Sequence, residues 1–343
     1  PVVNAFRKCP NLVTAPPNHK MYREKSRMLM DFLRTYTKKI EQVSVDECYM
    51  DFTELVGRYL TPVDGAMEIK EEVKKRFGFT VNIGISSNKL LAKMASDFQK
   101  PDRIHTLFPE EVPQKMWPLP IGELFMAGRS SVEVFKKLEI NTIEDLAHAD
   151  VNVITLHLKS HGRMLWNFAN GIGDDKVQYE PEEAKGVGNS TTLSEDATTY
   201  EEARDVFREL AQSVGSRLKK AGKKAGMVSM EVRYYDFRNM SHQVQLQKPT
   251  NDPVILCETA CNLFRESWSG EPVRLFGIRT SKLVEENAPE QLTIFDIEFP
   301  KEPDEKHKKL NAALEQLNNR YGKGAVVKGT FYKPDGKKKK DGI

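Results

Sequence analysis

The stretch Gln42-Val43-Ser44-Val45-Asp46-Glu47-Cys48-Tyr49-Met50-Asp51-Phe52 constrains this chain more than any other. Its β-branched and apolar residues read as extended chain, yet Asp46 and Glu47 stand side by side at its centre. Neighbours in an unbroken strand point to opposite faces. Both carboxylates therefore reach one point only if the chain reverses at Val45-Asp46, as a hairpin. Two ionised carboxylates held together repel, and a divalent cation such as magnesium is the usual remedy. The pair also fits an exposed acidic turn, the commoner setting of Asp and Glu.

Helices are predicted on both sides of the hairpin. Met28, Leu29, Phe32, Leu33 and Tyr36 recur at helical spacing between Tyr22 and about Lys38. Thr61-Pro62 opens a second helix, with Ala66, Ile69, Val73 and Phe77 on one stripe and Gly78 as its stop. Phe79 to Ser86 alternates strictly and reads as a strand. Ser87 to Pro101 follows with Leu90, Leu91, Met94 and Phe98 as a buried stripe, while Lys89 and Lys93 share an exposed face at i and i+4. Lysines on such a face are commonly only solvated.

Ser44-Val45-Asp46-Glu47-Cys48-Tyr49-Met50-Asp51 resembles the palm motif of the Y-family DNA polymerases, the translesion enzymes: Ser, aliphatic, Asp, Glu, small, Tyr, aliphatic, Asp. Asn88-Lys89, Ala92-Lys93 and Lys100-Pro101 resemble that family's second signature, downstream and in the right order. The resemblance implies an α+β multidomain protein with an antiparallel-sheet palm and flanking helices, a helix-hairpin-helix thumb and a ferredoxin-like βαββαβ little finger. It makes Asp46 and Glu47 catalytic carboxylates and ligands of two Mg²⁺ ions. Lys100 is expected to reach the triphosphate of an incoming dNTP, and Lys89 and Lys93 to meet primer-template DNA. The activity implied is template-directed DNA synthesis of low fidelity, in lesion bypass and DNA repair.

The expected domains are a palm with a remnant of the fingers at 1–108, a thumb at 109–173, a linker at 174–184, a little finger at 185–285, and a clamp-binding motif with a tail at 286–343. Pro109, Pro113, Pro118 and Pro120 punctuate the first boundary. In the thumb, Gly128 and Arg129 are candidate phosphate contacts, because a helix-hairpin-helix offers backbone N–H groups at a helix N-terminus. The family's Gly-aliphatic-Gly is here Met126-Ala127-Gly128, and a plain helical connector remains the alternative. The linker is polar, acidic and contains Pro181.

Beyond it, the patterns run strand, helix, strand, strand, helix, strand, the order of a ferredoxin-like unit. Gly188, Ser190 and Thr192 suit backbone and hydroxyl contacts to phosphate. Arg274 and Arg279 are candidates on the last strand, on opposite faces by parity unless a bulge intervenes. Gln291, Leu292, Ile294 and Phe295 resemble the short segment with which bacterial polymerases hold the sliding clamp, the alternative being an ordinary short strand.

A net charge of only +3 means that affinity for DNA must come from local clusters of Lys and Arg. No apolar run approaches the ~20 residues of a membrane span, so a cytoplasmic monomer with no membrane partner is expected. Cys9, Cys48, Cys257 and Cys261 have no zinc or redox spacing and are expected to be reduced, the last two on one apolar helix face. The family's N-terminal strand, with a further metal-binding Asp and an aromatic residue that excludes ribonucleotides, has no counterpart after Pro1. The chain as written is therefore expected to be inactive or nearly so. The alternative is a non-catalytic protein that binds DNA and the sliding clamp.

Overall fold

The computed structural model describes residues 2–180 and 182–288, together with Ala313, Gln316, Leu317 and Arg320 of a later helix. The chain divides into two compact units, Pro1–Glu182 and Glu183–Ile343.

The first unit begins with an exposed helix, α1 (Val2–Lys8). The next, α2 (His19–Leu33), is capped by Asn18, whose side chain accepts the Met21 N–H at 3.0 Å. It stops earlier than its apolar periodicity predicts, because the Thr35 hydroxyl takes the Phe32 carbonyl at 2.7 Å and competes with the next helical turn. Tyr36 still packs edge-on against Phe32. Strands β1 (Ile40–Gln42) and β2 (Cys48–Met50) form an antiparallel hairpin in which Ile40 faces Met50 and Gln42 faces Cys48. Helix α3 (Pro62–Phe77) starts in a reciprocal Thr61–Asp64 capping box and ends on Gly78 at φ 73°, a left-handed residue that favours glycine. Leu29, Met30, Phe32 and Leu33 of α2 meet Ile69 and Val73 of α3 and Ile40 of β1 in one apolar cluster.

Strand β3 (Ile83–Ile85), helix α4 (Lys89–Asp97) and strand β4 (Ile104–Thr106) make a βαβ crossover, with β3 and β4 parallel. The antiparallel pairing expected of the palm thus holds for β1 and β2, while a helix-length connection makes the second pair parallel. A Cβ on Gly84 would lie 1.8 Å from the Ala92 carbonyl oxygen, so α4 sits directly on the strand backbone.

Four more helices follow: α5 (Val112–Lys115), α6 (Arg129–Lys137), α7 (Ile143–His148) and α8 (Val151–Ala169). Their fully buried Phe135, Ile143, Leu146, Ile154 and Leu165 share one core with Leu90, Leu91, Met94 and Ala95 of α4. The expected palm–thumb boundary at 108 is therefore no break in packing. Nor is all of 174–184 free tether. Asp174 accepts both the backbone N–H and the ammonium of Lys89, through its carbonyl at 3.0 Å and carboxylate at 2.9 Å, and the Gln178 N–H donates to Glu41 at 2.7 Å.

The second unit runs β5 (Gly186–Ala197), α9 (Tyr200–Lys220), β6 (Lys223–Tyr234), β7 (Asn239–Thr250), α10 (Pro253–Ser267) and β8 (Val273–Glu285), the expected βαββαβ order. Its sheet is antiparallel in the order β5-β8-β6-β7. The second and fourth strands are central, the inverse of a ferredoxin sheet, whose first and third strands lie inside. Phe207, Phe264 and Phe276 interlock with centroids 5.2–5.8 Å apart between the helices and one sheet face. Each is worth roughly 3 kcal/mol in burial. Among the described residues no helix is long and apolar enough to cross a membrane.

Candidate active site

One hydroxyl organises the turn between β1 and β2. Ser44 Oγ accepts the N–H groups of Asp46 and Glu47 at 3.2 and 3.1 Å and donates to Asp46 Oδ1 at 2.6 Å. The N–H groups of Val43 and Ser44 both donate to the Glu47 carbonyl, at 3.0 and 3.2 Å. The chain reverses where the sequence predicts, and both acids stand exposed on the hairpin tip.

Glu47 accepts a hydrogen bond from Lys93 Nζ at 2.7 Å, and Lys93 also reaches Asp97 at 3.2 Å. The other oxygen of Asp97 accepts Lys100 Nζ at 2.7 Å. Charges thus alternate from Lys100 through Asp97 and Lys93 to Glu47. Burial pulls the Lys93 ammonium down, but its hydrogen bonds to Glu47 and Asp97 outweigh this and hold its pKa above the usual lysine value. Burial likewise pushes Asp97 up, and hydrogen bonds from Lys100 and Lys93 outweigh it, leaving the carboxyl below its ordinary range.

Of the three sequence-predicted lysines, only Lys100 is open, its side chain 55% exposed against 18% for Lys93. Lys89 is the most engaged of the three: its ammonium lies 3.0 Å from Glu41 and 2.9 Å from Asp174, above the Tyr49 ring, and braces the hairpin. Asp51 accepts the Thr53 N–H at 2.9 Å and plays a structural part. Asp97, the bridge, was not among the expected site residues, although its spacing was a signal: it stands four residues after Lys93 on α4 and three before Lys100, just past the helix end.

Asp46 and Glu47 are hard oxygen donors of the kind magnesium takes. Among the described residues no three His, Cys, Asp or Glu side chains converge on one point. This pair therefore supplies two carboxylates, and the remaining ligands must come from elsewhere.

In the helical region, Gly128 precedes α6 with no side-chain cap, and nothing lies within 4 Å of where its Cβ would be. The first-turn N–H groups behind Arg129 are left without a side-chain partner there. In the second unit, Gly188, Ser190 and Thr192 face Arg279, Gly277 and Leu275 across the β5–β8 ladder, on one side of the sheet. The alternate residues turn to the helices: Val187 is buried, and Asn189 donates to Ser213 of α9 at 3.2 Å. Arg279 therefore shares the outer face with the three small residues. Arg274 falls at an irregularity in the β6–β8 register, and its guanidinium lies over the Phe237 ring at 5.6 Å. The bulge removes it from strict alternation and engages it with an aromatic ring. Gln291, Leu292, Ile294 and Phe295 lie outside the described residues.

Residues 1–97 match the model of the impB/mucB/samB family, and residues 184–294 match that of the impB/mucB/samB family C-terminal domain. DNA polymerase IV of Clostridium acetobutylicum is 39% identical over 97% of this chain and 83% of its own length. DNA polymerase IV 1 of Bacillus subtilis is 39% identical over 99% of this chain and 81% of its own. The chain belongs to the Y-family DNA polymerases. A solved Y-family DNA polymerase chimera shares the fold of this polymerase, with a TM-score of 0.71 and 21% identity over 83% of each chain. The polymerase is thus a DNA-directed enzyme of translesion synthesis and repair, and DNA and dNTPs are its partners. Such polymerases are metal-dependent nucleotidyltransferases.

Proposed function

We propose that the hairpin tip is the polymerase active site and that Asp46 and Glu47 hold magnesium there, two ions in the family's manner. The observation that carries this reading is the Ser44-pinned turn, which exposes two adjacent carboxylates, one of them already meeting a cation at Lys93. Asp46 and Glu47 would hold the ions, and oxygens of the bound substrates would have to complete the donor set. The metal supplies a lowered pKa for the attacking hydroxyl and a counter-charge for the phosphate.

The chain's own residues do the rest. Ser44 fixes the direction of Asp46. Lys93 holds Glu47 in place and limits its charge until the ions arrive. Lys100, open and joined to Lys93 through Asp97, lies in reach of a triphosphate, where its point charge offsets the charge that develops as pyrophosphate leaves.

DNA is held by groups that carry little sequence information, as suits an enzyme that must accept damaged templates at low fidelity. Gly128 and Arg129 offer helix N–H groups and a guanidinium to one phosphate. The outer face of the β5-β8-β6-β7 sheet offers Gly188, Ser190, Thr192 and Arg279. Gln291, Leu292, Ile294 and Phe295 bind the sliding clamp, and the enzyme works in the cytoplasm as a monomer.

Primer extension with Mg²⁺ tests the site. Incorporation that disappears in Asp46→Ala, with DNA affinity intact, supports it. Extension that survives this substitution places the chemistry elsewhere, and DNA binding without extension by the unsubstituted chain favours the non-catalytic alternative.

A further inference from the structure

Beside the hairpin tip, α2 and the end of β1 enclose an open cleft of about 640 Å³. Its helical wall is Arg23, Ser26, Arg27, Met30 and Arg34, which recur at i, i+3, i+4, i+7 and i+11 and so share one face. Gln42 of β1 and the turn residues Val43, Ser44 and Val45 form the other wall. Three guanidiniums thus line the cleft with no carboxylate among the described residues of the lining. Arg34 pairs with Asp31 at 2.8 Å. The guanidiniums of Arg23 and Arg27 have no ion pair, hydrogen bond or ring contact among the described residues. Like charges along one face repel, and an anion between them offsets the repulsion.

A buried donor points to the same chemistry. Ser26 is only 8% exposed, and its Oγ accepts the Gln42 amide at 3.1 Å, while that amide also donates to the Ser44 carbonyl at 2.9 Å. The Ser26 proton itself has no acceptor among the described residues, although the hydroxyl lines the cleft. A buried O–H without a partner costs free energy, and an anionic oxygen satisfies it.

The lining also selects the anion. A guanidinium fork matches the oxygens of a phosphate in a way that a lysine does not. Arg23 and Arg34 stand eleven residues apart, roughly 16 Å along the helix axis, so the guanidiniums suit a chain of phosphates better than one compact ion. The facing wall is apolar, with Val43 and Val45 55% and 54% exposed, which offers a surface to sugars and nothing to a free pyrophosphate. We propose that this cleft is a further phosphate-binding site of the polymerase, in which Arg23 and Arg27 grip the backbone of a DNA strand and Ser26 adds a neutral donor. Ser44 both lines the cleft and orients Asp46, so a strand held here is anchored beside the hairpin tip. The site uses neither Gly128 and Arg129 nor the outer face of the β5-β8-β6-β7 sheet, and it needs no metal.

The test measures the affinity of the full-length chain for primer-template DNA against salt, without Mg²⁺, so that its outcome is independent of the metal ligands proposed above. Arg27→Gln should weaken binding about uniformly across sequences and shrink the slope of log affinity against log salt by about one, and the double variant Arg23→Gln/Arg27→Gln by about two. Arg27→Lys, which keeps the charge without the fork, should keep the slope and still bind more weakly. Lys25→Gln removes the same charge from the same helix outside the cleft lining, and should leave the slope unchanged. Thermal melting reports that each variant is folded. The proposal is overturned if the folded double variant keeps the parent slope, or if Lys25→Gln reduces the slope as much as Arg27→Gln, which would make the effect one of bulk charge. It is also overturned if the double variant loses affinity only for tripolyphosphate, titrated alone, since the ligand would then be a free polyphosphate and not a strand.

Discussion

The hairpin tip of the first unit and the outer sheet face of the second make opposite uses of charge. At the tip, four ionised side chains from Lys100 to Glu47 are linked by hydrogen bonds of 2.7, 3.2 and 2.7 Å, and the two candidate metal ligands stand at one end. On the sheet, glycine and hydroxyl residues surround a single arginine of the β5–β8 ladder, Arg279, and the strength of the unit lies behind them in its aromatic core. Chemistry needs charges held at fixed positions, whereas gripping an arbitrary backbone needs a surface that lets phosphates approach. One region should therefore fail sharply when a single carboxylate is lost, and the other gradually.

The largest effect expected is that of Asp46→Ala. A bound metal is worth several kcal/mol of transition-state stabilisation, and ~4 kcal/mol is about 1,000-fold in rate. Primer extension should fall by about that factor or more while DNA affinity changes little. A comparable fall in affinity would erase the contrast between the two regions. Lys93→Met comes next, at about 10–100-fold in extension, the range for residues that orient a metal ligand. If Glu47 needs no such support, Lys93→Met will extend primers at the unsubstituted rate.

Arg279→Ala should be milder and of another kind. Affinity should weaken about uniformly across DNA sequences, and the slope of log affinity against log salt should shrink by about one. An unchanged slope would remove Arg279 from the phosphate contacts and leave the face to its hydroxyls and backbone.

The two regions were also unequally legible. Asp46 and Glu47 could be placed from the sequence because adjacent acids in a strand-like stretch force a reversal, and the structure reverses there. The six elements of the second unit were legible from their apolar periods, since their faces pack against one core. The order of its strands was not, because a period says which face is buried and nothing about which edge pairs. Lys89 and Lys93 looked alike at i and i+4. What separates them is Glu41 on β1 and Asp174 far along the chain, partners that no local window contains. Arg274 was similarly displaced by a bulge that leaves no trace in composition.

Smaller again is the response of the charge network to acid. Asp97 has a folded-state pKa below its ordinary range, so its contribution to stability is complete above the unfolded value and is lost as pH falls through the folded one. Melting of the first unit should therefore drop on acidification below the usual carboxylate range. Asp97→Asn should flatten that part of the profile, while the β5–β8 unit keeps its own. Equal flattening in both units would mean that the network does not set the acid sensitivity of the tip.

The smallest effect lies between these regions in kind, in the helix that carries neither charge network nor DNA face. Within α8, Lys159 has φ 54° and ψ −137°, a backbone conformation that side-chain-bearing residues rarely adopt. It interrupts the helix between the buried Ile154 and Leu165, which anchor the two halves in the core shared with α4. Those anchors hold the residue in a strained state that costs of order 1–3 kcal/mol for a non-glycine. Lys159→Gly removes that cost, and the larger entropy that glycine loses on folding offsets about 1 kcal/mol of the gain. The net expectation is a stabilisation of about 1 kcal/mol, read as a higher urea midpoint at unchanged slope. A loss of stability would show that α8 relaxes to a continuous helix when Lys159 is free to do so, and that the break is not imposed by the packing on either side of it.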